Sequence, residues 1–186
     1  MVKLMGHLGM ALLWSLPVWF VWEWRVNLAF IGFALSTSML PDVDLVLRDF
    51  LPVVHHGITH TVVFVVATGL VVGAVVEFGL RRWLDRAWFG QRGLAVSQWA
   101  LFTFIAGGLV LGGFSHLFAD MLSAPDIAAP VEPFWPVFDK PWSVDLIYYS
   151  AFAWNVGLLA VGILAHLAFA AVHLQFGEPR DFTQRL

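Results

Sequence analysis

The chain contains no cysteine. That excludes disulfides and thiolate metal ligands, and leaves only imidazole and carboxylate groups to hold a metal. Charge is also scarce: Asp, Glu, Lys and Arg make up 12% of the 186 residues, against about 25% in an ordinary soluble domain. The formal net charge is −3, so there is no basic surface for a nucleic-acid partner. The sequence has no Gly-rich phosphate loop and no Gly-x-Ser-x-Gly elbow. Ser115 neighbours His116, but consecutive residues of a helix point apart, so a nucleophilic serine is not supported. No internal repeat, low-complexity tract or soluble domain is visible, and residues 1–186 read as one membrane-embedded helical domain.

What the chain does have is apolar surface. Hydrophobic residues are 60% of it, more than a water-soluble protein of this size can bury. The bilayer is the natural solvent. Only helices or closed barrels satisfy their backbone there, and the long apolar runs favour helices. Five runs stand out: His7–Trp22, Val26–Leu40, His60–Leu80, Gln98–Leu122 and Leu146–Gln175. The expected fold is all-α, a polytopic integral membrane bundle of about five transmembrane helices. The first two runs are shorter than the roughly 20 residues of a full span. The N-terminal run faintly resembles a signal peptide, but no small-residue cleavage site follows it, and it reads as a retained helix. The last connection, Ser123–Asp145, is rich in proline and acidic residues and reads as an ordered loop, with Trp135 and Trp142 as interfacial anchors or a lid.

Lys and Arg concentrate in cytoplasmic loops. Placing Arg81, Arg82, Arg86 and Arg92 inside puts Arg25, Arg180 and Arg185 inside as well, seven basic residues against Lys3, Arg48 and Lys140 outside. The same alternation carries His7, Asp42, Asp44, His55, His56, His60, His116 and Asp120 to the outer face. A metal site would then be extracytoplasmic in a protein integral to the cell membrane.

Each group has an ordinary reading beside the functional one. His116 and Asp120 are four apart, share a helix face, and can bind one ion or simply tie a helix end. Asp42 and Asp44 cannot share a helix face; an extended turn would let them grip one cation, or they are a solvated terminus. His55, His56 and His60 form the densest cluster. His56 shares a face with His60 only if both are helical, and Gly57 argues that the helix starts later, which favours His55. His7 alone is weak. His166 and His173 read as structural, and Glu77 pairs with Arg81 at i,i+4.

The ordered set Leu-Pro-Asp-Val-Asp, His-His-Gly-Ile-Thr-His-Thr, Ser-His-Leu-Phe-Ala-Asp-Met-Leu and Pro-Phe-Trp-Pro resembles the YdjM-like family of predicted membrane-bound metal-dependent hydrolases. That family is grouped distantly with zinc-dependent phospholipase C enzymes, which hold metals with His and Asp on a helical scaffold. The resemblance runs from His7 to about Asn155. It implies His7, Asp42, Asp44, His55, His60, His116 and Asp120 as metal ligands, and a divalent ion, zinc first. One position departs: the family usually has Arg where this chain has His56. The implied activity is hydrolysis of a phosphoester, on a lipid or membrane-proximal substrate, with Asp42 or Asp44 taking a proton from a metal-activated water. Two alternatives remain open at this point: a metal-ion or proton transporter, and a non-catalytic protein with a structural metal.

Overall fold

The computed structural model describes residues 2–92 and 96–176. Arg180 and Arg185, used above to assign topology, lie outside the described residues, as do residues 93–95 of the basic connection. Among the described residues there are seven α-helices and no β-strand. They are α1 (Leu4–Ser15), α2 (Trp24–Thr37), α3 (Asp44–Leu47), α4 (Val62–Ala74), α5 (Arg81–Leu84), α6 (Gln98–Met121) and α7 (Phe152–Phe176). A 3₁₀ segment, Leu16–Phe20, prolongs α1. Another, Pro41–Val43, joins α2 to α3, and π-turns at Val75–Leu80 and Asp85–Phe89 carry the α4 line past α5.

Four continuous helical stretches are long and apolar enough to cross a bilayer: Trp24–Leu47, Val62–Ala87, Trp99–Met121 and Phe152–Phe176. The run Leu4–Phe20 is a shorter fifth helix. At 1.5 Å per residue, α7 spans roughly 37 Å, beyond a hydrocarbon core of about 30 Å. Its outer residues Leu164, Leu167 and Val172 are exposed, as are Val71, Val75 and Phe78 on the α4 line. In a bundle this apolar, those faces meet lipid rather than water.

Four of the five observed starts differ from the sequence expectation: α1 begins at Leu4 and α2 at Trp24, slightly earlier than His7 and Val26, and the other two begin later. The third span begins at Val62, because Thr61 caps α4 with its hydroxyl on the Phe64 amide at 3.1 Å. His60 is thus in the turn before the helix. The fifth span begins at Phe152, not Leu146. Residues 146 and 147 turn back instead, their amides donating to Leu122 O.

The bundle is centred on α6, which packs against α1, α2 and α4, while α7 packs chiefly on α1. Small residues set these distances. A Cβ on Gly9 would come within 2.4 Å of the Leu159 backbone, so α1 and α7 touch main chain to main chain there. Gly112 does the same for α6 and α2, a single turn before His116, where a Cβ would meet Ala34 O at 2.6 Å. Such contacts fix the height of α6 against α2, and with it the height of His116 against Asp42.

Connectivity then sorts the polar residues. His7 is near the start of α1, Asp42 and Asp44 follow α2, His60 precedes α4, and His116 and Asp120 close α6. All lie at one end of the bundle. Arg25, Arg81, Arg82 and Arg86 lie at the other, with exposed Trp24, Trp83 and Trp99.

At that second end His166 and the acidic residues of the helices are paired, while Asn27 Oδ1 is buried without a hydrogen-bond partner. Trp19 Nε1 donates to His166 Nδ1 at 2.7 Å, and His166 Nε2 donates to Leu12 O at 2.8 Å. Arg81 reaches Glu77 at 3.3 Å and Asp85 at 3.0 Å, and also bonds Val96 O. The expected Glu77–Arg81 pair is therefore present, and His166 is tied into packing.

Candidate metal centre

At the polar end, the sequence does locally what its residue types dictate. Pro41 opens a 3₁₀ turn at the C-terminal end of α2. Asp42 and Asp44 therefore sit on helical backbone, and the extended turn expected from the sequence does not form. A 3₁₀ turn advances about 120° per residue, so the two side chains leave the backbone in different directions, although a carboxylate oxygen of each comes within 4.8 Å of the other. They are reunited by His60, whose ring lies between them: Nε2 is 3.3 Å from Asp42 Oδ1 and Nδ1 is 3.2 Å from Asp44 Oδ2.

The His55–His60 segment is a turn followed by a short 3₁₀ helix, Ile58–His60. His56 has φ of 63°, a left-handed conformation that no helical pairing with His60 could accommodate. Each imidazole in this segment has its Nδ1 engaged. His55 Nδ1 donates to Asp44 Oδ1 at 2.9 Å. His56 Nδ1 donates to Ala129 O. His60 Nδ1 lies 3.1 Å from the Thr59 hydroxyl, which itself donates to Asp44 Oδ2 at 2.9 Å. These bonds put the proton on Nδ1 and leave the Nε2 lone pair free.

From α6, His116 and Asp120 enter on one face, Nε2 to Oδ2 3.1 Å. From α1, the His7 ring stacks on that of His116, centroids 3.7 Å apart and planes 2° from parallel. Asp120 Oδ1 is held by the Val2 amide at 3.3 Å, and the start of α1 is tied to α7 by the Lys3 amide on Asn155 Oδ1 at 2.8 Å.

The result is a buried convergence. His7, His60 and His116 are 1% exposed or less, as is Asp44; Asp120 is 2% exposed. His116 Nε2 is 3.3 Å from Asp42 Oδ1, and His60 Nε2 is 3.7 Å from Asp120 Oδ2. Yet these close atoms are not aligned as hydrogen bonds. Nε2 of His7, His55, His56, His60 and His116 has no hydrogen-bond partner, and neither does Asp120 Oδ2. Buried polar atoms seldom go unpaired. Here they crowd one another at 3.1–3.8 Å while failing to bond one another, which is what ligands aimed at a common centre do. For metal–ligand distances of 2.0–2.2 Å, the edges of a tetrahedron are about 3.3–3.6 Å. The distances from His60 Nε2 and His116 Nε2 to Asp42 Oδ1 and Asp120 Oδ2, 3.1–3.7 Å, lie close to that range. Several triads here have donor atoms within 4.8 Å of one another: His60, His116 and Asp120; His7, Asp42 and His116; Asp42, Asp44 and His55; and His55, His56 and His60.

The structure therefore brings all seven sequence-selected residues into one cluster and adds an eighth. His56 belongs with them, its Nε2 3.8 Å from Asp120 Oδ2. Burial lowers the His56 pKa to about 4, against the opposing pull of Asp120, so it is neutral at pH 7. For His60 burial also opposes the charged form, but Asp42 and Asp44 outweigh it and raise its pKa above the usual value. Thr59 has no distinguishing signal in the sequence, since a hydroxyl beside a histidine is ordinary.

Compared with known proteins, the chain matches a family model over residues 1–180, described as YdjM inner membrane protein. No curated protein and no solved structure matches it significantly.

Proposed function

The chain belongs to the YdjM inner membrane protein family, and from that premise we propose that it is a membrane-embedded metal-dependent hydrolase acting on phosphoesters at the bilayer surface. One observation carries the reading: five imidazoles, four of them buried and His55 partly so, and a carboxylate turn unpartnered buried atoms toward one another. An unsatisfied buried polar group costs about 1–3 kcal/mol. Five would cost on the order of 5–15 kcal/mol, as much as the whole stability of an ordinary domain. A bound cation removes that cost.

The donor set is nitrogen and carboxylate oxygen with no sulfur, which suits zinc, or manganese or iron. His60, His116 and Asp120 are the residues that would hold an ion; His7, His55 and His56 offer further free nitrogens. When bound, such a metal polarises a phosphoryl oxygen and brings the pKa of water toward 7. The chain's own residues do the rest. Asp44 is fully engaged with His55, Thr59 and His60, so it orients the two imidazoles and fixes their tautomers. Asp42 is the carboxylate that solvent reaches, its side chain 10% exposed against 1% for the side chains of Asp44 and Asp120, and it is placed to take a proton from water. Val2 and Asn155 hold the carboxylate and helix of the site in register. A transporter is less well supported, because the polar groups at the far end, His166 and Glu77, are already paired with Trp19 and Arg81.

The test is metal analysis and turnover on one preparation. Protein purified in dodecyl maltoside is expected to retain stoichiometric divalent metal and to hydrolyse bis(p-nitrophenyl) phosphate. Asp42→Asn should slow turnover by roughly 10²–10⁴-fold, the usual weight of a general base. Protons compete for the same nitrogen: because His60 keeps its proton to higher pH than free imidazole, metal affinity falls as pH drops through that raised pKa, by about tenfold per unit. Protein that carries no metal at pH 8 would sink the proposal.

The cluster faces the extracytoplasmic side in this reading, because the Arg-rich end lies opposite it and basic residues stay inside. The chain has no native thiol, so single cysteines at Arg86 and Asp126 can be labelled cleanly. Only the cysteine at position 126 should react with an impermeant maleimide applied from outside. Labelling at 86 instead would invert the orientation.

A further inference from the structure

Beside the cluster lies a cavity of about 150 Å³, lined by His56, Gly57, Ile58, Thr61, Glu132 and Trp135. It sits where the Ser123–Asp145 loop meets the His55–Thr61 segment. Two hydrogen bonds join these strips of chain, His56 Nδ1 to Ala129 O and the Val62 amide to Pro133 O. His56 belongs to both places: it walls the cavity, and its unpartnered Nε2 faces Asp120 in the centre.

The size excludes most occupants. An engineered cavity of about 150 Å³ holds benzene, six heavy atoms. An acyl chain or a peptide is too large, whereas a small headgroup fits. The walls then specify its charge. Trp135 supplies the indole surface that attracts cations best among side chains. Glu132 supplies a carboxylate, and the neighbouring Asp139 adds a second negative charge that opposes its ionisation. A positive group relieves the repulsion between two such carboxylates. Ile58 and the Thr61 methyl add apolar surface suited to the carbons around an ammonium nitrogen. The cavity thus selects a cation on the flank of a centre that would hold an anion.

We propose that this cavity is the recognition subsite for the ammonium group of a zwitterionic phosphoester, of the ethanolamine or choline type, whose phosphate reaches the metal centre. The proposal rests on the metal-centre reading above for the phosphate half alone. It makes Glu132 and Trp135 specificity-determining residues that touch neither the metal nor the reacting atoms.

The experiment is calorimetric titration of protein in dodecyl maltoside, a detergent without ammonium groups. Choline is compared with 3,3-dimethylbutan-1-ol, its uncharged isostere. Choline should bind and the isostere should bind far more weakly. Glu132→Gln and Trp135→Leu should each weaken choline binding by at least about fivefold, with metal content unchanged. Both residues lie at the surface, so neither change threatens folding. Equal binding of choline and its isostere, or a Glu132→Gln variant that binds choline like wild type, would overturn the proposal. Metal analysis on the same samples separates the two readings. Selective choline binding without metal would remove the metal centre and leave the subsite; metal without choline selectivity would remove the subsite alone. The source of the ligand is read in nanodiscs. Weaker choline binding in phosphatidylcholine than in phosphatidylglycerol discs identifies a lipid headgroup. Equal binding in both, with displacement by dissolved phosphocholine, identifies a soluble ester. Either result sustains the subsite.

Discussion

Stripping metal from the purified protein is expected to lower its melting temperature by roughly 10–20 °C. The size follows from the unpartnered atoms. Without an ion, Nε2 of His7, His55, His56, His60 and His116 is left without a partner in a buried site. Water entering the cluster satisfies some of them, so we take a net loss near the bottom of the 5–15 kcal/mol range, about 5 kcal/mol. A chain of this length loses about 2–4 °C per kcal/mol. Chelation in detergent followed by thermal unfolding, with zinc added back, measures it. A melting temperature unmoved by chelation and by zinc would mean that protein or water already satisfies these atoms.

The second large effect separates residues that would hold the ion from those that orient them. His116→Ala removes a nitrogen 3.1 Å from Asp120 and 3.3 Å from Asp42, at the point where the α2 and α6 contributions meet. Metal should fail to survive purification of that variant. Asp44→Asn leaves every Nε2 in place but weakens the grip on the Nδ1 protons of His55 and His60. Changes to groups that orient a ligand cost about 10–100-fold in affinity. Asp44→Asn should therefore keep the metal stoichiometry at saturating zinc and lose it at limiting zinc. A variant empty at saturating zinc would move Asp44 into the direct ligand set.

Much of this site is legible in the sequence because helix ends are. Once the apolar runs alternate across a bilayer, His7, Asp42, His60 and His116 must emerge at the same end, whatever the packing. His116 and Asp120 are equally readable, since i,i+4 neighbours share a face by helical geometry alone. The turn from His55 to Thr59 is not. The family resemblance places Arg at position 56, which keeps His56 out of the implied ligand set. The local argument in its favour assumes a helix that its positive φ rules out. It reaches the cluster through a hydrogen bond to Ala129, over seventy positions away, which no local pattern announces. Asp42 and Asp44 diverge as their spacing requires, but the way His60 reconciles them depends on a ring seated between two elements. The start of the last span departs from expectation for the same reason: residues 146 and 147 are apolar enough to be helical, and long-range pairing with Leu122 claims them first.

The ligands' order along the chain has a bearing on how the protein is made. His7 is the first of the cluster to be synthesised and Asp120 the last, and no pair of neighbouring helices holds a complete set. During biogenesis the early histidines must wait in the membrane until α6 has been inserted and has brought His116 and Asp120 up beside Asp42. Capture of an ion at this cluster would therefore be a terminal step of assembly. With the cluster on the extracytoplasmic face, as proposed above, the ion would come from that compartment and not from the side on which the ribosome works.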